Sequence, residues 1–152
     1  MKCVKLFFVA LALLSFCAAK TQAATSSILI DAQSGSVLYA DNANALRYPA
    51  SLTKLMTLYI TFNALENGTL SLDDNLKVSR NAANRSPSRL GLTAGKTIDV
   101  RTAILATIIK SANDCATVLG ESLAKDEKSF AILMTETAHE LGMKDTTFKN
   151  AS

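Results

Sequence analysis

Ser51 and Lys54 stand three residues apart in the stretch RYPASLTKLMT, which runs from Arg47 to Thr57. A serine hydroxyl becomes a useful nucleophile only when a base removes its proton. A lysine serves as that base only when its ammonium form is disfavoured. Burial has that effect, because an ion taken out of water must be paired or give up its charge. Leu52, Leu55, Met56, Leu58, Tyr59, Ile60 and Phe62 place apolar side chains almost all the way round the run that carries Lys54. That is the pattern of a central, buried helix. Ser51 follows Pro49-Ala50 and so falls in the first turn. Free backbone N–H groups and the helix dipole there favour negative charge, as an attacking serine oxygen requires. Lys54, one turn on, shares its face.

The spacing alone is weak. With 14 Ser, 11 Lys and 9 Asn in the chain, S-x-x-K and S-x-N each arise about once by chance. Ser122 and Lys125 repeat the first spacing, but Glu121, Asp126, Glu127 and Lys128 around them mark an exposed helix end, where the lysine is solvated. Ser111-Ala112-Asn113 carries the second spacing between two apolar helical runs, a junction from which side chains can project into a cleft. A hydroxyl there could relay a proton, and the Asn113 amide could bind both Lys54 and a substrate carbonyl. Capping of the following helix, with Asp114 favouring its first turn, is an equally natural reading and is compatible with catalysis. Ser79-Arg80-Asn81 has no such helix pair around it.

Other chemistries find little support. The chain has one histidine, His139, on the side of its helix opposite the apolar face, so neither a Ser-His-Asp triad nor a histidine-rich zinc cluster can form. No metal and no cofactor is expected. Cys115 reads as a buried, inert thiol.

The elements that must position these residues are legible from pattern. Residues 1–24 have the layout of a secretory signal peptide: Lys2 and Lys5, then the apolar run Leu6–Ala19, then small residues with cleavage expected after Ala23 or Ala24. The run is short for a membrane span. Of 16 Lys+Arg, three leave with that segment, and the remainder balances the 13 Asp+Glu. The apparent basicity thus belongs to targeting, which argues against a nucleic-acid partner. Cys3 and Cys17 leave too, so no disulfide can form within the mature chain. Residues 25–152 are expected to belong to one domain.

Ser27–Asp31 and Ser36–Tyr39 read as a hairpin turning at Gly35. A helix runs from about Ala50 to a C-terminal stop at Asn67-Gly68. Leu76–Ile98, poor in large apolar residues, reads as a long connection that is either functional or a solvated loop with weak turns. Asp99 caps a helix over Val100–Lys110. Helical character resumes at Cys115. A last helix carries Phe130, Leu133, Met134, Thr137, Ala138 and Leu141 on one face and is closed by Gly142.

With PASLTKLMT and IIKSAND both in view, the sequence resembles the low-molecular-weight penicillin-binding proteins, the serine D-Ala-D-Ala carboxypeptidases of peptidase family S11. The resemblance runs from about Ser27 to the end and includes ILIDAQSGSVLY, LTAGKTIDVRTAILATIIKSAND and HELGMKDTTFKN. It implies an α+β fold of the serine β-lactamase/DD-peptidase type, with a helical region and part of an antiparallel sheet. It further implies Ser51 as nucleophile, Lys54 as general base, Ser111 as proton relay and Asn113 as substrate holder, with the Ser51 N–H as one oxyanion donor. The implied partners are peptidoglycan pentapeptides ending in D-Ala-D-Ala, with β-lactams as inhibitors, at the outer face of the bacterial inner membrane.

One departure stands out. The family's K-T-G motif follows the second motif, whereas Lys96-Thr97-Ile98 precedes Ser111 and has Ile in the glycine position. The expectation is therefore the N-terminal part of such an enzyme, with the later strands and any C-terminal membrane anchor beyond it. As an isolated 152-residue chain it is expected neither to fold stably nor to turn over substrate, an expectation that release of D-Ala by that chain would overturn. Two alternatives are a class A β-lactamase, disfavoured because no E-x-x-L-N pattern follows, and a non-catalytic periplasmic remnant or binding protein.

Overall fold

The computed structural model describes residues 25–152. The signal-peptide reading of residues 1–24 lies outside them. The chain divides into two units, at Arg47/Tyr48.

In the first unit, two short runs rich in β-branched, aromatic and leucine residues flank a tight turn, and they pair. β1 (Ser27–Ile30) and β2 (Val37–Asp41) are antiparallel, with Ser27 opposite Asp41 and Leu29 opposite Tyr39. The Asp31 carboxylate accepts hydrogen bonds from the Ser34 hydroxyl and N–H, both at 2.7 Å, and these hold it below the usual carboxylate range. Gly35, at φ +72°, takes the left-handed position that the turn requires. Every residue of both strands is exposed.

The second unit is built on helices. A 3-10 turn (Ala50–Leu52) leads into α1 (Thr53–Glu66), which Asn67 and left-handed Gly68 terminate as the sequence predicts. The stretch Leu76–Ile98 is more ordered than its composition suggests. Its ends form β3 (Asn75–Lys77) and β4 (Thr97–Asp99), with Leu76 opposite Ile98, and it contains the short α2 (Arg80–Ala83), capped by the Ser79 hydroxyl. The reason is economical: Leu76, Val78, Ala82 and Ile98 are buried and suffice to anchor it. Asp99 caps α3 (Val100–Ile109) by accepting the Thr102 N–H at 2.8 Å.

α4 (Asn113–Leu123) is the spine, with Asp114 to Gly120 all buried. One apolar cluster, including Leu58, Val78, Val100, Ile104 and Leu119, joins it to α1, α3 and the β3–β4 pair. A second, around Met56, Ile60, Ala116, Phe130 and Met134, joins it to α1 and α5 (Glu127–Glu140). Gly120 lets α5 come close: a Cβ there would lie 2.5 Å from the Phe130 ring.

Two expectations need correction. α1 is not buried all round, because Leu52 and Leu55 are 65% and 63% exposed, with Tyr59 and Phe62 beside them. The described residues cover only its other side. Nor is the start of α5 wholly solvated: Lys125 is exposed, but Glu127 turns inward to accept from Thr117 Oγ1 and Asn81 Nδ2 and to pair with Arg85.

Candidate active site

The helical unit brings Ser51, Lys54 and Ser111 to one cleft. Ser51 sits in the 3-10 turn ahead of α1, not in the α-helix proper. Ala50 before it has φ +48°, a left-handed conformation that costs a residue with a Cβ about 1–2 kcal/mol. The turn's own hydrogen bond, Leu52 N–H to Pro49 O at 3.1 Å, holds that conformation and leaves the Ser51 side chain exposed.

Lys54, one residue into α1, is only 4% exposed. Burial lowers its pKa below the ordinary 10.5, and no carboxylate lies within ion-pairing distance of it among the described residues. Burial of an unpaired lysine shifts it toward the neutral amine that a general base requires.

Ser111 lies in the junction between α3 and α4. It too is left-handed, with φ +53°, and its hydroxyl donates to Ser51 Oγ at 3.0 Å. The three side chains line a cleft of about 700 Å³, whose other walls are mainly apolar, among them Leu55, Leu58, Phe62 and Ile108.

Asn113 opens α4 two residues on. Its Nδ2 donates to Ser86 O at 3.0 Å and its N–H to Ser88 O at 2.7 Å, so the amide faces the 86–92 segment rather than Lys54. The capping reading of this junction finds no support: the N-cap of α4 is Ala112, without a side-chain cap bond. Neither of the look-alike serines takes part, since Ser122 Oγ donates to Leu119 O and Ser79 caps α2. His139 is exposed, with its Nε2 3.1 Å from Thr146 O. Cys115 is fully buried with its thiol pushed up to about 12, first by burial and then by the Asp114 charge, so it offers no thiolate.

Sequence reasoning missed most of the partners of Asp114. It is the first-turn acid the sequence suggests, accepting the Cys115 N–H, but its carboxylate also accepts backbone N–H groups from Leu90, Gly91 and Leu92. The signal was an acid within the otherwise apolar run that follows Asn113.

Comparison with known proteins shows the family of the chain. A family model described as D-alanyl-D-alanine carboxypeptidase, peptidase S11, matches residues 15–152. D-alanyl-D-alanine carboxypeptidase DacF of Bacillus subtilis is 35% identical over 84% of the chain, which spans 33% of that relative. The crystal structure of D-alanyl-D-alanine carboxypeptidase DacD from Francisella tularensis superposes with a TM-score of 0.82 at 33% identity, covering 86% of this chain and 32% of that one. Penicillin-binding protein D2 of Listeria monocytogenes, in an ampicillin-bound form, gives 0.74 at 36% identity, over 85% of this chain and 51% of that one. The chain thus spans about a third of the length of the curated relatives it matches, and the expected α+β fold of this type is the one it has.

Proposed function

From a chain that belongs to the S11 peptidase family of D-alanyl-D-alanine carboxypeptidases, we propose the N-terminal, nucleophile-bearing part of a serine-type D-Ala-D-Ala carboxypeptidase. The observation that carries the reading is the 3.0 Å hydrogen bond between Ser111 and Ser51 in the cleft that buried Lys54 also lines.

In this reading Lys54, whose pKa burial lowers, takes the Ser51 proton as Oγ attacks the carbonyl of the penultimate D-Ala. The tetrahedral oxyanion forms at the start of α1, where the Ser51 N–H is one donor. Ser111, already bonded to Ser51 Oγ, carries a proton to the departing amine, and D-Ala leaves. An acyl ester on Ser51 remains, and water, deprotonated by the same base, resolves it. Asn113 holds the peptide's amide groups. No step calls for a metal or an organic cofactor. A β-lactam acylates Ser51 by the same route, its ring nitrogen staying tethered. The substrate is a peptidoglycan stem peptide, and the site of action is the outer face of the bacterial inner membrane, reached through the signal peptide.

Labelling of the full-length gene product with a fluorescent penicillin tests this. One adduct is expected, mapping to Ser51 and abolished by Ser51→Ala. Labelling that survives Ser51→Ala overturns the assignment.

A further inference from the structure

Asp114 is a fully buried carboxylate with no salt-bridge partner among the described residues. Four backbone N–H groups donate to its oxygens. Oδ1 accepts from Leu90 N at 2.9 Å and from its neighbour Cys115 N at 2.9 Å; Oδ2 accepts from Gly91 N at 2.8 Å and Leu92 N at 3.0 Å. Three consecutive N–H groups converging on one anion make a nest, and Gly91, at φ +97°, supplies a backbone turn that other residues resist. Burial alone would raise this carboxyl's pKa, but the four N–H groups outweigh it and hold it below the usual range. The group therefore stays an anion, and the 90–92 segment stays on it.

What that segment touches next is the reactive junction. Ser86 O and Ser88 O accept from Asn113 Nδ2 and N, and the Ser88 hydroxyl donates to Lys110 O at 2.7 Å. Residues 110–113 are thus held from one side by segment 86–92, and that segment is held by Asp114. Between Lys110 and Asn113 lies Ser111, whose left-handed backbone has no glycine to ease it and which must aim a hydroxyl at Ser51.

We infer that Asp114 is a positioning residue for acylation: by fixing segment 86–92 it sets the Asn113 amide and the turn that presents Ser111 to Ser51. This rests on the assignment of Ser51 as nucleophile made above. A buried acid serving only to join a loop to a helix would give the same contacts but not the same coupling. If Asp114 acts through Asn113 and Ser111, its loss matters only while they are present.

The test is a double-mutant cycle on the rate of penicillin acylation in the full-length gene product. Asp114→Asn keeps the shape but presents an NH2 to N–H donors, and it should slow acylation by roughly ten- to a hundredfold. In an Asn113→Ala, Ser111→Ala background the same change should cost less than about twofold. An equal drop in both backgrounds overturns the inference. Should Asp114→Asn fail to fold, Gly91→Ala carries the test, because Gly91 is exposed with open space around its Cβ direction. That variant should slow acylation in the same background-dependent way, and an unchanged rate overturns the inference. Ser51→Ala separates the two levels. Labelling that survives it overturns the nucleophile and this inference together. Labelling that depends on Ser51 but shows additive losses overturns the positioning role alone.

Discussion

Ser111 Oγ lies 3.0 Å from Ser51 Oγ, across sixty residues of sequence. The contact depends on backbone as much as on side chain, since Ser111 is held at φ +53° and Ala50, next to Ser51, at φ +48°. Ser111→Ala removes only the hydroxyl. It should lower the acylation rate by about 10²–10⁴, the range for loss of a positioned proton donor, and change unfolding stability by no more than about 0.5 kcal/mol. Ser111→Thr keeps the hydroxyl but adds a β-branch that resists the left-handed region. It should also acylate slowly. Stopped-flow acylation beside urea unfolding checks both, and a fully active Ser111→Thr enzyme would show that the turn is unimportant.

Lys54 couples both activity and stability to pH. Burial lowers its pKa, so between that lowered value and 10.5 the unfolded chain holds a proton that the folded chain does not. Stability contributed by this group therefore rises with pH across that window and is lost as pH falls through the lowered value. Acylation should follow the same limb, climbing as Lys54 loses its proton below the normal lysine range. Lys54→Met leaves an apolar side chain in an apolar place. It should abolish penicillin labelling and raise stability by about 1 kcal/mol, with the greatest gain at the acid end. A Lys54→Met protein less stable than wild type at pH 6 would refute the account.

How far these relationships could be read from sequence differs by element. The ends of α1 and α3 were legible because Asn67-Gly68 and Asp99 act locally, through left-handed geometry and a side-chain cap. The meeting of Ser51 with Ser111 was indicated by residue type and apolar surroundings, but not the two left-handed residues that make it, because neither is glycine. Segment 76–98 looked like a loop, since the four buried residues that anchor it are too dispersed to show a period. Asp114 was only partly legible for a related reason. A local rule, acid at a helix start, accounts for its position and its bond to Cys115 N, whereas its other partners lie more than twenty residues upstream. α1 met the opposite problem: an apolar pattern all round predicts cover on both sides, and the described residues provide it on one.

Gly120 is a packing prediction. The ring of Phe130 occupies the space a Cβ would need, at 2.5 Å, and Phe130 is itself fully buried. Gly120→Ala should force α4 and α5 apart or push the ring from its rotamer, costing about 1–3 kcal/mol. Helix propensity works the other way by under ~1 kcal/mol, so the net effect is a loss. Gly120→Ala combined with Phe130→Leu should recover part of it. Thermal or urea unfolding of the two variants decides the matter, and a Gly120→Ala protein as stable as wild type would mean the helices approach less closely.

Thr57, one turn beyond Lys54, ties the last described residues to the helix that carries the site. Its hydroxyl donates to Ala151 O at 2.7 Å, and both residues are fully buried. Ala151 N–H donates to Glu127 Oε1 at 3.3 Å, so the peptide groups of this short segment are held between α1 and the start of α5. Thr57→Val keeps the shape and removes the donor, leaving a buried carbonyl without a partner. The cost should be about 1–3 kcal/mol, while Thr57→Ser, which restores the hydroxyl, should recover most of it. Amide exchange gives the sharper reading. In Thr57→Val the Ala151 N–H should exchange faster than those of the α4 core, because only its Glu127 bond remains to hold the segment. If Ala151 and the α4 amides keep the same relative protection, Thr57 contributes to global stability alone and does not clamp the tail.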